Sequence, residues 1–191
     1  MLIFAQLEDA VIARVKNASD SNALGYRLAH VDSYGGEFDD EAFFTQFRKF
    51  PAIWVTVGGD KPKRISAKVW ECNLTLAVMV GARNVRGERF TRHGSIGEVG
   101  TYQLAQDVRD LLVLQDFGGL VSGLSIGPTR TLFNTKMGNE ARSVFSLEFN
   151  AVYTYRPPEP DEGNYTGINI RYYLKPGDDV ADAVDVIDLA G

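Results

Sequence analysis

Apolar side chains recur along this chain at two periods, helical and alternating, and each switch between them marks an element. Ile3, Leu7, Val11 and Val15 fall at helical spacing, which predicts a first helix ending between Asn17 and Asn22. Arg27 to Tyr34 alternates weakly as a short strand that breaks at Gly35-Gly36. Asp39-Asp40-Glu41 puts carboxylates where a helix N-terminus favours them. Phe43, Phe44, Phe47 and Phe50 then supply the apolar stripe of a helix that stops at Pro51. Ala52 to Val57 reads as a buried strand, Gly58 to Arg64 as a connecting loop, and Ile65 to Gly81 as a long strand. Trp70, Cys72, Leu74, Leu76, Val78 and Val80 share one face of that strand, and the two strands pair as a hairpin.

The second half repeats this grammar. Tyr102, Ala105, Val108 and Leu112 predict a helix that ends before Gly118-Gly119. Leu124 to Phe133 reads as a strand that Pro128 confines to an edge or a bulge, and Asn134 to Glu140 as the turn after it. Phe145, Leu147, Phe149, Ala151, Tyr153 and Tyr155 alternate with polar residues as a half-buried strand. Helix, strand, helix, hairpin, helix, hairpin is the order of an α+β fold, an antiparallel or mixed sheet built from hairpins with helices on one face. The domain ends at 156, because Arg156-Pro157-Pro158-Glu159-Pro160 cannot continue a central strand. Residues 157–191 form an extension in which Ile168, Ile170, Tyr172 and Leu174 alternate as one more strand, while Val180 to Leu189 fits a short helix or a strand. Such an arm can pair with a sheet edge of another subunit or fold back on its own.

Charge sharpens this division. The extension holds eight acidic residues against Arg171 and Lys175, a net −6, so the overall −5 leaves residues 1–156 at +1. A near-neutral body argues against a dedicated nucleic-acid binder. A single cysteine, Cys72, rules out an internal disulfide framework and fits folding in a reducing cytoplasm. The first sixteen residues lack the pattern of a signal peptide, and no apolar run has the length of about 18 residues that a membrane helix needs. The expectation is a soluble protein without a membrane partner.

Catalytic machinery is thin. With His30, His93 and Cys72 alone there is no CxxC, HExxH or histidine cluster for a transition metal. The run Glu37, Asp39, Asp40, Glu41 lacks the alternating ligands of a calcium loop and reads as helix capping. Gly58-Gly59-Asp60-Lys61 lacks phosphate-loop spacing and reads as a hairpin turn. Ser95 and Ser122 sit in no GxSxG motif, and Cys72 lies among apolar neighbours in register. The chain is therefore expected to be no enzyme and to need no cofactor.

The stretch from Gly81 to Leu112 is the strongest functional candidate. Read as a long loop between strand and helix, it carries Arg83, Arg86, Arg89 and Arg92 at three-residue intervals, with Glu88 and Glu98 as local counter-charges. A solvated loop is the ordinary reading of such charge. Val85, Phe90 and Ile96 between the arginines are costly to display uncovered, and arginine with aromatic groups is enriched at interface hot spots. This points to docking by Arg83, Arg86, Arg89, Arg92 and Phe90.

Tyr34-Gly35-Gly36-Glu37 with Asp39-Asp40, then Ala82-Arg83-Asn84-Val85-Arg86-Gly87-Glu88, then Gly100-Thr101-Tyr102 with Asp107-Val108-Arg109-Asp110-Leu111-Leu112, resembles the Mu-like prophage tail proteins of the tail-terminator type over residues 1–156. The resemblance implies a small α+β subunit of the virion tail, assembled in the host cytoplasm as a homo-oligomer, a hexameric ring on the head-proximal end of the tail. There it would stop growth of the tube, contacting the tail tube protein and, in a contractile tail, the sheath, and would offer a surface for head joining through connector proteins. A head–tail connector or tail-completion ring subunit is the neighbouring alternative. An α+β regulatory domain whose arginines close over an anionic metabolite is the alternative from another class.

Overall fold

The long alternating runs pair with one another into a mixed five-stranded sheet. The computed structural model describes residues 3–36, 47–84, 88–94, 98–137, 140–158, 167–175, 177 and 179–188. They divide between two compact units, Met1–Tyr155 and Arg156–Gly191. In the first unit, β1 (His30–Ser33) runs parallel to β2 (Ala52–Ser66), and β2 forms an antiparallel hairpin with β3 (Val69–Asn84). β3 pairs antiparallel with β5 (Glu140–Tyr155), which in turn pairs with the edge strand β4 (Ser125–Met137), giving the order β1-β2-β3-β5-β4. The fold is α+β, with α1 (Ile3–Asp20) and α3 (Thr101–Leu112) packed on the sheet and a short α2 (Glu88–His93) between β3 and α3.

Period-2 patterning decides which face each helix covers. Leu74, Leu76, Val78 and Val80 of β3 and Leu147, Phe149 and Ala151 of β5 form one core with Leu7, Val11 and Val15 of α1 and Leu104, Val108 and Leu112 of α3. Polar ties fix the helices in place. The Glu8 carboxylate accepts from Ser33 Oγ at 2.9 Å and from the Val57 amide at 2.8 Å, capping the backbone just beyond the end of β1. Arg14 Nε donates to the Leu111 carbonyl at 2.6 Å, linking α1 to α3.

The opposite face carries a smaller core. Ala52, Trp54, Met79 and Val144 are buried there, with Tyr34, Phe47 and Phe50 against them. Phe47 packs edge-on to both His30 and Phe50, at 5.2 and 5.3 Å between ring centroids. Gly81 must be small at this point, since a Cβ would lie 3.0 Å from both Phe50 Cε1 and Trp54 Cζ3.

Several expectations change here. The predicted helix after Asp39 lies largely outside the described residues, Phe43 and Phe44 included, and its described end, Phe47 to Phe50, is not helical. Those two phenylalanines serve the aromatic core instead of a helical stripe. Gly58 to Arg64 is no loop or hairpin turn but part of β2, and the turn is Ala67-Lys68. The register shift between Val57 and Gly59, with Gly59 at φ +121°, bends the strand without ending it. Pro62 is tolerated because, among the described strands, this half of β2 pairs with β3 alone. Asn134 to Lys136 likewise extends β4, because β5 offers partners down to Glu140. Tyr102 leaves the predicted apolar face, which is Thr101, Leu104, Ala105, Val108 and Leu112. As predicted, Pro128 falls on an edge strand at a register shift, between Ile126 and Thr129.

The second unit is a two-stranded antiparallel ribbon, β6 (Gly167–Tyr172) with β7 (Ala183–Asp188). The stretch that fitted either helix or strand is therefore a strand.

Two substitutions separate core from periphery. Leu76, fully buried in β3, should cost about 2–5 kcal/mol when replaced by alanine. Ile65, 55% exposed near the hairpin tip, should change stability by less than about 0.5 kcal/mol when replaced by serine. Urea unfolding of L76A and I65S measures both.

Candidate partner interface

The arginine-bearing stretch leaves the sheet where β3 ends and returns to it as α3. Its first arginine, Arg83, is still a strand residue, half-buried and directly opposite Arg142 of β5. Arg142 is almost fully buried, with its guanidinium carbon 5.8 Å from the centroid of the Phe50 ring. Sequence reading missed Arg142, since it sits just before the clear alternation that begins at Phe145.

What reads in sequence as one long loop contains a short helix held to the sheet from its middle to its C-terminal end. Glu88–His93 forms α2, and the buried Thr91 hydroxyl donates to the Ala141 carbonyl at 3.3 Å. His93 packs edge-on to Tyr102 at 5.1 Å, and Tyr102 packs on Phe145 at 5.7 Å. That contact explains why Tyr102, 46% exposed, is an aromatic side chain at all. Beyond α2, Gly94 at φ +81° lies against Gly100, and any Cβ on Gly100 would collide with the Arg92 carbonyl and the Gly94 amide. This pinch brings the end of α2 to the start of α3. Thr101 then buries its hydroxyl against Ser143 Oγ at 3.3 Å.

The predicted contact residues are thus placed unequally. Arg83 lies at the end of β3, and Arg92 lies in the last turn of α2, half-buried, where its buried Nε meets no hydrogen-bond acceptor. Arg89 and Phe90 lie within α2, of which the backbone alone is described at these two positions, and Arg86 lies outside the described residues. Arg83 and Arg92 are held by the body of the domain, not displayed from a free loop.

Beside Arg83 a cleft of about 460 Å³ is lined by Tyr26, Arg27, Phe50, Asn84 and Glu98, among others. The buried Asn84 donates from Nδ2 to Glu98 Oε2 at 2.6 Å, so one of the two expected counter-charges binds the strand end itself. Tyr26 donates to Asp107 Oδ2 at 2.6 Å, and Gln103 Nε2 donates to the other oxygen at 2.8 Å. Burial, then the hydrogen bond to Asp107, then that carboxylate's charge hold the Tyr26 phenol well above its usual range. Among the described residues no group of three or more histidine, cysteine, aspartate or glutamate side chains could hold a metal ion. Cys72 is buried in β3. No described helix is long and apolar enough to cross a membrane. This arrangement is chemistry for holding an edge in shape, with cations gathered at one end of a rigid sheet.

The raised phenol has a measurable consequence. The folded state keeps the Tyr26 proton at pH values where the unfolded chain releases it, so its contribution is fully present below about pH 10 and is lost as pH rises further. Tyr26→Phe should lower the melting temperature at neutral pH and flatten its decline above about pH 10, as thermal denaturation at a series of pH values would show.

No match is found among curated proteins. The family model described as Bacteriophage Mu, Gp37 matches residues 3–154, which takes in the five-stranded sheet as far as Thr154, the three described helices and the arginine-bearing stretch. The chain therefore belongs to the bacteriophage Mu Gp37 family, as a phage structural, tail-related protein.

Proposed function

We propose that this chain is a tail-terminator subunit. Copies of it close into a ring, six to a turn, on the head-proximal end of the tail tube, stop tube growth there and present the surface to which the head is joined. The clamped arginine helix supports this reading most directly, because it sets cations at one end of a stiff sheet inside the segment shared with the family. Closed symmetry repeats that feature once per subunit around a circle. Arg86 and Arg89, together with Phe90, meet acidic and apolar groups of the tube or of the adjoining subunit. Arg83, at the end of β3, and Arg92, in the last turn of α2, hold this stretch against the domain. The protein acts by shape and charge, without catalysis and without a cofactor. The sheath and the head-side connector are further partners of the ring. The cleft beside Arg83 also offers arginines, but Glu98 stands among them, which disfavours an anionic metabolite there.

The division of roles can be measured. Arg86→Ala with Arg89→Ala should leave the melting temperature within about 2 °C, since on this reading the two side chains serve the partner contact and not the fold. In particles assembled with that double variant, tails should become longer and variable in length by electron microscopy. Uniform tails of normal length would remove the arginines from the capping contact.

A further inference from the structure

The ribbon β6–β7 leaves a problem unsolved inside its own unit. A lone two-stranded hairpin is marginally stable in water. Opposite residues of an antiparallel pair share a face, so Ile168, Ile170, Tyr172, Ala183 and Ile187 lie together on one side, around Asp185, which accepts from the Tyr172 hydroxyl at 3.1 Å. Ile168, Ile170, Tyr172 and Ile187 are all exposed there, and Val186 on the other side is 70% exposed. Residues 157–191 carry the net −6. They lie beyond residue 154, where the family match ends, so the ring-forming body does not account for them.

The complementary surface is the free end of the β2–β3 hairpin. Lys61, Lys63, Arg64 and Lys68 give it four cations in eight residues with no acid among them, all exposed, around an exposed Ile65. Arg64 is braced there over the Trp70 ring at 5.6 Å, with its Nη2 donating to the Ala67 carbonyl at 2.7 Å. Along Gly58–Ser66, β3 is the only described strand paired with β2, so among the described residues no strand occupies its outer backbone edge. Charge, apolar surface and strand edge therefore match the ribbon in kind.

We propose that the β6–β7 arm of one copy docks on the β2–β3 hairpin of a second copy, adding its strands beside the outer half of β2. The occupant is another copy because the arm begins with Arg156-Pro157-Pro158-Glu159-Pro160, a run that favours an extended backbone over an immediate reversal. Each subunit then gives one arm and receives one, so the contact is heterologous and closes with the ring symmetry. The docking requires only self-association. It holds or fails separately from the capping of a tube.

Charge reversal in mixed populations tests it on the full-length chain. One variant carries Lys61→Glu and Lys63→Glu, and the other carries Asp178→Lys, Asp179→Lys and Asp188→Lys. Each alone should self-associate about tenfold more weakly than the unmodified chain at low salt by light scattering and native mass spectrometry, since like charges then face each other. An equal mixture of the two should regain association, because each reversed arm meets a reversed hairpin on a different copy. An unmodified chain that stays monomeric, single variants that associate normally, or a mixture that stays dissociated would each overturn the proposal. Unchanged melting of the body in both variants confirms that folding is not what was lost. Uncapped tubes beside a rescued mixture would dismiss the terminator reading and keep the arm.

Discussion

Two-sided burial of β3 is the constraint on which the first unit depends. From Val78 to Ala82 every residue of the strand is buried, Val78, Val80 and Ala82 beneath the helices and Met79 and Gly81 beneath the aromatic cluster. Both edges of β3 are also paired along its length, to β2 and to β5. A strand enclosed in this way cannot slip by one residue without moving an entire apolar set to the wrong core. Register is therefore fixed from the strand's interior outward, and the positions of Arg83 and Asn84 at its end follow.

That rigidity gives the arginine stretch a defined stage. Asn84 is buried and bonded to Glu98, Thr91 reaches the β5 backbone, and the Gly94–Gly100 approach closes the stretch on itself. A charged segment on a free loop would lose ordering entropy on meeting a partner. Held as a short helix against the sheet end, it has lost most of that freedom already. The same logic separates the ribbon of β6 and β7, whose described residues form no second layer, so that it gains stability from whatever covers it.

The fold was largely legible where burial is periodic. The runs Ile3 to Val15, Cys72 to Val80 and Phe145 to Ala151 announced α1, β3 and β5, because one buried face imposes its period on sequence. Reading failed where pairing overrode local composition. Gly58-Gly59 and Asn134 have turn chemistry, yet a neighbouring strand holds both in the ladder. Tyr102 was misassigned because period alone does not distinguish a core side chain from one packed on His93 and Phe145 at the rim. At the candidate interface the spacing of Arg83, Arg86, Arg89 and Arg92 was visible. The helix that carries two of them was not, nor was the buried Arg142 that stands opposite Arg83, because the one rests on β5 and the other on the pairing of β5 with β3, contacts between segments distant in sequence.

Electron cryo-microscopy of intact tails, with this chain located in the map, decides whether a ring of it ends the tail tube. One six-fold ring of this chain per tail is expected, at the head-proximal end of the tube, with α2 facing the tube or the adjoining subunit. Copies distributed along the tube, placed at the distal tip or missing from the tail would contradict it.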